Sequence, residues 1–405
     1  MKIIEGKSVS CVKGYKAAGC AVGLKKSGKK DMGLIYSEVP AVSAAVFTTN
    51  VVKAAPVLTD MKHVQNPTTR AMIINSGNAN ACTGDQGIQD ALSMAEKTAE
   101  LLDVKPEDVL VYSTGVIGQP MPMDIIISGI EQCAGALASG GDEVHRAIMT
   151  TDTKEKCIFA EIELSGKTVS ICGIAKGSGM IHPNMATMLS YVVTDAAVSK
   201  EVLTAMQKKI THTTFNMVTV DGDTSTNDTA TIIANGCAGN PIIDKAEGED
   251  YKTLYDAVYY VTEYLAKAIA ADGEGATRLM EVDLIGAETE EQARTCARSV
   301  ASSSLVKAAI HGADANWGRV LCAMGYSGAQ FDQMKVDVAF ASEKGSIDVF
   351  VKGVPQNFDE DKALEILQND VVQIKINMNS GDHAVKAWGC DLSKEYVEIN
   401  GSYRS

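Results

Sequence analysis

Residues Lys176 to Asp195 read KGSGMIHPNMATMLSYVVTD. A loop rich in Gly and containing Pro, of the kind that sits exposed, runs straight into Thr187-Met-Leu-Ser-Tyr-Val-Val, which reads as a buried strand. A Thr at that junction is held rigidly beside a loop, where its hydroxyl is placed to act as a nucleophile. Read by itself, the segment supports a plainer account in which Thr187 opens a strand, as β-branched residues do. STGVIG, Ser113 to Gly118, is open in the same way. It is either a set of backbone donors for a developing negative charge or a Gly-containing turn after a strand.

Other constellations point away from common chemistries. GLKKSGKK, Gly23 to Lys30, has the Gly and Lys spacing of a phosphate loop, but Lys30 stands where a Ser or Thr hydroxyl is needed for magnesium. It reads as a solvated basic loop. The six histidines, His63, His145, His182, His212, His311 and His383, show no zinc-ligand spacing, and no G-x-S-x-G elbow recruits one as a base. His182 alone lies in a dense polar motif, where orienting a loop is the favoured reading over catalysis. The ten cysteines form no C-x-x-C pair and read as reduced core thiols. The net charge of −14 repels polyanions, which argues against nucleic acid and anionic membranes as partners. No signal-like apolar core follows MKIIEGKSVS, and no run approaches the roughly 18 apolar residues of a membrane span. A cytoplasmic location is expected.

The elements that must hold these residues are mixed α and β. Ala44 to Thr49 and Ala71 to Ile74 read as short buried strands, and Ile88, Ala91, Leu92, Ala95, Ala99 and Leu102 form one helical stripe. Val109 to Tyr112 is a strand, Met123 to Ala138 a helix, and Cys157 to Ala175 a hairpin about Ser165-Gly166. Met188 to Val193 is a further strand. Ser199 caps a helix over Lys200 to Ile210, and Tyr251 to Ala270 is a long amphipathic helix. In the final third, strands at Met280 to Leu284, Lys335 to Phe340, Ile347 to Val351 and Val371 to Ile376 alternate with helices near Glu290 to Ala301 and Asp361 to Leu367. The pattern predicts an α/β fold, with stacked β-sheets covered by helices in an αββα-type sandwich and a C-terminal α/β lobe over about 280–405.

Lys176 to Asp195 resembles the cleavage motif of the ornithine acetyltransferase family, the bifunctional glutamate N-acetyltransferases of arginine biosynthesis. GYKAAGCAVGLK (Gly14 to Lys25), INSGNANACTGDQG (Ile74 to Gly87), STGVIG, TTDT (Thr150 to Thr153), DGDTSTNDT (Asp221 to Thr229) and ADANWGR (Ala313 to Arg319) resemble it in the same order. The likeness covers essentially the whole chain. It implies self-cleavage between Ala186 and Thr187, giving an α chain of 1–186 and a β chain of 187–405 that stay together, as a heterotetramer of two of each. It further implies Thr187 as nucleophile, Thr114 and Gly115 as the oxyanion hole, and substrate contacts at Thr153, Lys176, Thr187, Glu274, Asn400 and Ser405. The family often ends in Thr where Ser405 stands, and the hydroxyl is kept.

The implied reaction moves an acetyl group from N2-acetyl-L-ornithine to L-glutamate through acetyl-Thr187, with ping-pong kinetics and no cofactor, acetyl-coenzyme A being a possible second donor. A Thr hydroxyl needs a base, and an N-terminal Thr carries its own α-amine, with a pKa of about 7.7–8.0. Lys176 suits an α-carboxylate and Glu274 an amine. Because ornithine ends in a cation and glutamate in an anion, a tail pocket with one deeply buried fixed charge would reject one of them. The expected tail region is partly solvated or carries both signs. Two other classes fit the residues less fully: a self-cleaving aminopeptidase or amidase, in which water takes the acyl group, and a metabolite-binding protein in which Thr187 merely opens a strand.

Overall fold

The computed structural model describes residues 1–138, 142–182 and 188–402. The chain divides into two compact units. Unit 1 comprises 1–177, 183–215 and 224–265, and unit 2 comprises 178–182, 216–223 and 266–405. Ala186, Thr187 and Ser405, named above as cleavage, nucleophile and substrate-contact residues, lie outside the described residues.

Unit 1 contains strands β1 (Lys2–Ile3), β2 (Tyr15–Cys20), β3 (Met32–Phe47), β4 (Thr69–Asn78), β5 (Val109–Val116), β6 (Lys156–Leu164), β7 (Lys167–Lys176), β8 (Leu189–Thr194) and β9 (Thr229–Ala234). Its helices are α1 (Ala55–His63), α2 (Gly84–Leu102), α3 (Met123–Gly135), α4 (Val144–Ala147), α5 (Lys200–Thr213) and most of α6 (Glu249–Ala271). The strands follow the order β1-β6-β7-β8-β9-β3-β4-β5, with β2 also on β3. The first part of β3 pairs with β2 and β4, and Val42 to Phe47 pair with β9. Between them Glu38, Val39 and Pro40 are exposed, and the register with β4 shifts. Pro40 has no N–H to give a ladder, so the strand bends there and serves two layers. This explains why the expected short strand at Ala44 to Thr49 is the end of a 16-residue one.

The two layers face each other. Tyr15, Ile35, Met72, Ile74, Leu110 and Tyr112 of one share a core with Phe159, Cys172, Ile174, Tyr191 and Val193 of the other. The rings of Tyr112 and Tyr191 meet edge to face at 4.8 Å across the gap. Residues of opposite parity turn outward. Leu34, Ile73, Val109 and Val111 pack with Ala91, Met94, Ala95 of α2 and Ile126, Ile130 of α3. On the other side a Cβ at Gly173 would lie 2.5 Å from Val261 of α6, so glycine lets that helix sit close. The αββα sandwich is thus borne out. The β6–β7 turn also forms as read, with Ser165 and Gly166 at φ of 46° and 74°, the two-residue hairpin geometry. Ser199 caps α5 by accepting the Val202 N–H.

Unit 2 is built on a six-stranded mixed sheet in the order β13-β12-β11-β14-β10-β15. These are β10 (Leu279–Ala287), β11 (Asp337–Ser342), β12 (Gly345–Val351), β13 (Val354–Pro355), β14 (Val371–Asn377) and β15 (His383–Cys390). Helices α7 (Glu290–Ser302), α8 (Ser304–His311), α9 (Trp317–Gly325), α10 (Glu360–Leu367) and α11 (Lys394–Gly401) accompany it. α7 buries Ala293, Cys296, Ala297 and Val300 beside the sheet. The unit extends well before residue 280 and draws in 178–182 and 216–223. No described helix is long and apolar enough to cross a membrane.

Strand β5 ends the sheet of unit 1, and its open edge is closed by side chains rather than by another strand. Asp60 of α1 accepts the Val111 N–H at 2.8 Å, and His63 Nδ1 donates to the Val109 carbonyl at 2.7 Å. Asp60 is fully buried, and that burial pushes its carboxyl well above the usual range despite the bond from Val111. A raised carboxyl contributes stability that is complete below its unfolded pKa, about 3.9, and declines as pH rises. Asp60→Asn keeps the acceptor and removes the titration. Its melting temperature should therefore equal that of wild type near pH 4 and exceed it by roughly 2–4 °C at pH 8, as read by circular dichroism.

Candidate active site

The expected oxyanion residues close the end of β5. There β5 runs parallel to β4, and one residue before the end of each strand Gly77 stands opposite Gly115. A Cβ on Gly115 would lie 2.3 Å from the Gly77 carbonyl carbon, and Gly115 has φ of +135°, so only glycine fits. Thr114 and Gly115 are half-buried, with exposed Val116 and Ile117 beyond them.

A buried amide network fixes this end. Ser113 Oγ donates to Asn75 Oδ1 at 2.6 Å, and Asn75 Nδ2 donates to the Asn78 carbonyl at 2.9 Å. Asn78 Oδ1 takes the Asn80 N–H, while Asn80 Nδ2 donates to the Gly87 carbonyl. The INSGNANACTGDQG segment is thus a scaffold for the turn. Its dense Asn content was the available signal, but sequence reading assigned these residues no role.

The DGDTSTNDT segment serves both units. In unit 1 Asn227 Nδ2 donates to the carbonyls of Ala79 and Ser113 at 2.6 and 2.7 Å. Asp228, next in the chain, is buried, and that burial drives its carboxyl up against the opposing pull of Ser225, Lys176 and Thr48. Two consecutive residues therefore join the Thr114 turn to the surroundings of Lys176. In unit 2 the Asp221 carboxylate accepts the Met180 and Ile181 N–H groups at 2.6 and 2.8 Å. On the other side of 183–187, the Thr229 N–H donates to the Met188 carbonyl in unit 1. The stretch expected to be cut is therefore bracketed by anchored backbone at both ends.

Lys176 ends β7, opposite Leu189, and is buried. Asp152 lies in its neighbourhood, with Lys156 Nζ at 2.7 Å and the N–H groups of Gly177 and Thr150 at 2.7 and 2.9 Å. Burial alone would raise the Asp152 carboxyl, but Lys176 and Lys156 together with the Gly177 N–H bring it down to about 2. Thr153, the next residue, is exposed. Lys25 joins the same group, its pKa lowered to about 8 by burial first, with Lys176 adding to the lowering. Its ammonium donates to the carbonyls of Lys30 and Met149. The Gly23 to Lys30 loop is therefore not wholly solvated. The N–H groups of Val22, Gly23 and Lys25 point at the Asp31 carboxylate, so the loop cradles its own anion.

In unit 2 Glu274 and Asn400 meet, Asn400 Nδ2 donating to Glu274 Oε2 at 2.7 Å. The Glu274 carboxylate lies against Gly179, where a Cβ would stand 2.3 Å from its carboxyl carbon. The Glu274 N–H donates to the Ser178 carbonyl, so backbone and side chain both engage the KGSG turn. His182 accepts from Arg298 at Nε2 and donates from Nδ1 to Thr219 Oγ1. Burial, then Arg298, lowers its pKa to about 4, which leaves it neutral and holding the loop. All ten cysteines are free thiols, though Cys82 and Cys322 are exposed rather than in the core. Among the described residues no cluster of His, Cys, Asp and Glu could hold a metal.

The ArgJ family model matches residues 16–405. The chain is 50% identical to the arginine biosynthesis bifunctional protein ArgJ 1 of Clostridium acetobutylicum, over 100% of this chain and 99% of that protein. It is 52% identical to the bifunctional ArgJ of Caldanaerobacter subterraneus subsp. tengcongensis, over the full length of both. A crystal structure of the Bacillus halodurans bifunctional argJ protein is similar, with 43% identity and a TM-score of 0.50. It is matched over 98% of its own chain and 53% of this one.

The Asp152 cluster makes a stability prediction. A carboxyl lowered in the folded state contributes stability that is present above about pH 4 and lost as pH falls toward 2. Lys156→Met leaves that carboxylate buried with one ammonium fewer. Urea unfolding at pH 7 should show a loss of about 3–5 kcal/mol, and the acid limb of the stability curve should move to higher pH.

Proposed function

The chain belongs to the ArgJ family, and from that premise we propose that it transfers the acetyl group of N2-acetyl-L-ornithine to L-glutamate through an acetyl ester on Thr187, after cutting itself between Ala186 and Thr187. The observation that carries this reading is the preparation of the backbone on both sides of 183–187. Asp221 holds 180 and 181, Thr229 holds 188, and the Thr114–Gly115 turn is braced by buried amides. A stretch serving only to connect two strands needs no such set of side-chain and backbone anchors.

The first turnover is intramolecular. The Thr187 hydroxyl attacks the Ala186 carbonyl, the peptide nitrogen leaves as the new α-amine, and water hydrolyses the resulting ester to release the 1–186 carboxylate. The freed amine then serves as base for its own hydroxyl. Acetylornithine acylates Thr187, ornithine leaves, and the glutamate amine takes the acetyl group. Thr114 and Gly115 stabilise the oxyanion in every step. These bond exchanges balance without a cofactor. The fragments stay associated, and two pairs make a heterotetramer.

Lys176 meets the substrate α-carboxylate and Glu274 its amine, while Thr153, Asn400 and Ser405 complete the contacts. The relatives are named bifunctional, which supports a second activity on the same nucleophile, with acetyl-coenzyme A as donor.

Purified protein should run as two bands on a denaturing gel, with Thr187 at the new N-terminus, and Thr187→Ala should remain one band with no acetyl transfer. Steady release of ornithine from acetylornithine should depend on glutamate, and equal turnover without it, with free acetate as product, would replace the transferase by a hydrolase. Gly179→Ala makes the Glu274 carboxylate swing away and should act like Glu274→Gln. Both should raise the Michaelis constant for acetylornithine roughly tenfold or more, and an unchanged constant in both would remove Glu274 from substrate binding.

A further inference from the structure

The outward edge of β5 presents backbone groups at alternate residues, and at Val109, Val111 and Ser113 one of them meets a side chain. His63 takes the Val109 carbonyl, Asp60 the Val111 N–H, and Asn227 the Ser113 carbonyl. The next groups in that alternation belong to Gly115. Asn227 is thus the last clamp before the oxyanion turn. Its orientation is unambiguous. Both partners of Nδ2 are carbonyl oxygens, and Oδ1 accepts the Thr226 hydroxyl at 2.6 Å. The carboxamide is buried, and it ties the β4 loop at Ala79 to β5 at Ser113.

We propose that Asn227 is the positioning residue of the oxyanion hole, acting through the Ser113–Thr114 peptide. That peptide is planar and its own N–H points the opposite way, toward β4, so holding the Ser113 oxygen fixes the Thr114 Cα from which the Gly115 N–H turns outward. The second bond, to Ala79, sets the spacing between the β4 and β5 ends, where the two glycine backbones are in contact. Asn227 touches no reacting atom in this scheme. The inference rests on the acetyl-transfer reading above, because only an oxyanion hole makes the direction of these donors matter to a rate. It predicts that one residue outside the substrate contacts controls both self-cleavage and transfer, since both pass through a tetrahedral intermediate at the same donors.

The test uses the full chain and two variants, Asn227→Ala and Thr226→Val, the second removing only the hydroxyl that locks the carboxamide. Steady-state kinetics with acetylornithine and glutamate, ornithine binding by calorimetry, the rate of band splitting and melting temperature are measured together. Asn227→Ala should lower kcat about 100-fold and slow band splitting in the same proportion. The Michaelis constant and ornithine affinity should stay within about threefold, the mark of an interaction needed only in the transition state. Thr226→Val should show the same split with a smaller fall. A kcat within about threefold of wild type in a folded Asn227→Ala, or a fall in rate matched by lost ornithine binding, overturns the proposal. If Asn227→Ala does not fold, Thr226→Val decides, and an unchanged kcat there overturns it. Wild-type protein that transfers no acetyl group would instead contradict the acetyl-transfer reading itself.

Discussion

An edge strand leaves every second residue with an N–H and a carbonyl that no neighbouring strand will take, and buried backbone groups must find partners. In this chain β5 is that strand, and it carries the candidate oxyanion turn at its end. Extending the sheet by one more strand would satisfy the edge but would bury the turn. Side chains satisfy it instead. Asp60 and His63 on α1 and Asn227 from the DGDTSTNDT loop each bond one group. Strand β5 is buried from Val109 to Ser113 and becomes half-buried at Thr114 and Gly115. The cost of this arrangement is a carboxyl, Asp60, held buried and biased toward its neutral form.

Charge is handled differently in the two units. In unit 1 Asp152 is surrounded by Lys156, Lys176 and two N–H groups, so a buried carboxylate and its ammonium partners fix one another. In unit 2 Glu274 is held by an uncharged partner, Asn400, and by the missing side chain of Gly179. Asn400 orients the Glu274 carboxylate without supplying a counter-charge. Lys156 supplies one to Asp152 directly. This difference suits Glu274 to an incoming amine and Asp152 to a structural task beside Lys176.

Much of the layer structure was legible because period-two and period-3.6 patterns survive wherever one face is buried. The helical stripe from Ile88, the Ser165-Gly166 hairpin and the Ser199 cap were all read from local chemistry and recur in the structure. The bend in β3 was not read, since Pro40 looks like a strand end until the second partner strand is known. Site residues were less legible. Thr187 reads locally as a strand start, and only the ordered motifs around it suggested chemistry. Asn75, Asn78, Asp221 and Asn227 were visible as polar residues in motifs. Some of their partners lie far along the chain, Ser113 for Asn75 and Asn227 and Met180 for Asp221, and no local spacing encodes a bond from Asn227 to Ser113. The Gly23 to Lys30 loop shows the same limit, its basic residues suggesting solvent while its N–H groups turn inward to Asp31.

The central claim is that residue 187 carries the acetyl group between donor and acceptor. The protein can be incubated with N2-acetyl-L-ornithine bearing a labelled acetyl group, quenched in acid without glutamate, digested and read by tandem mass spectrometry. The label is predicted on the peptide beginning at Thr187, as an ester on its side chain, and is predicted to leave when glutamate is added before the quench. A peptide at that position that stays unlabelled while acetylglutamate still forms would contradict the account.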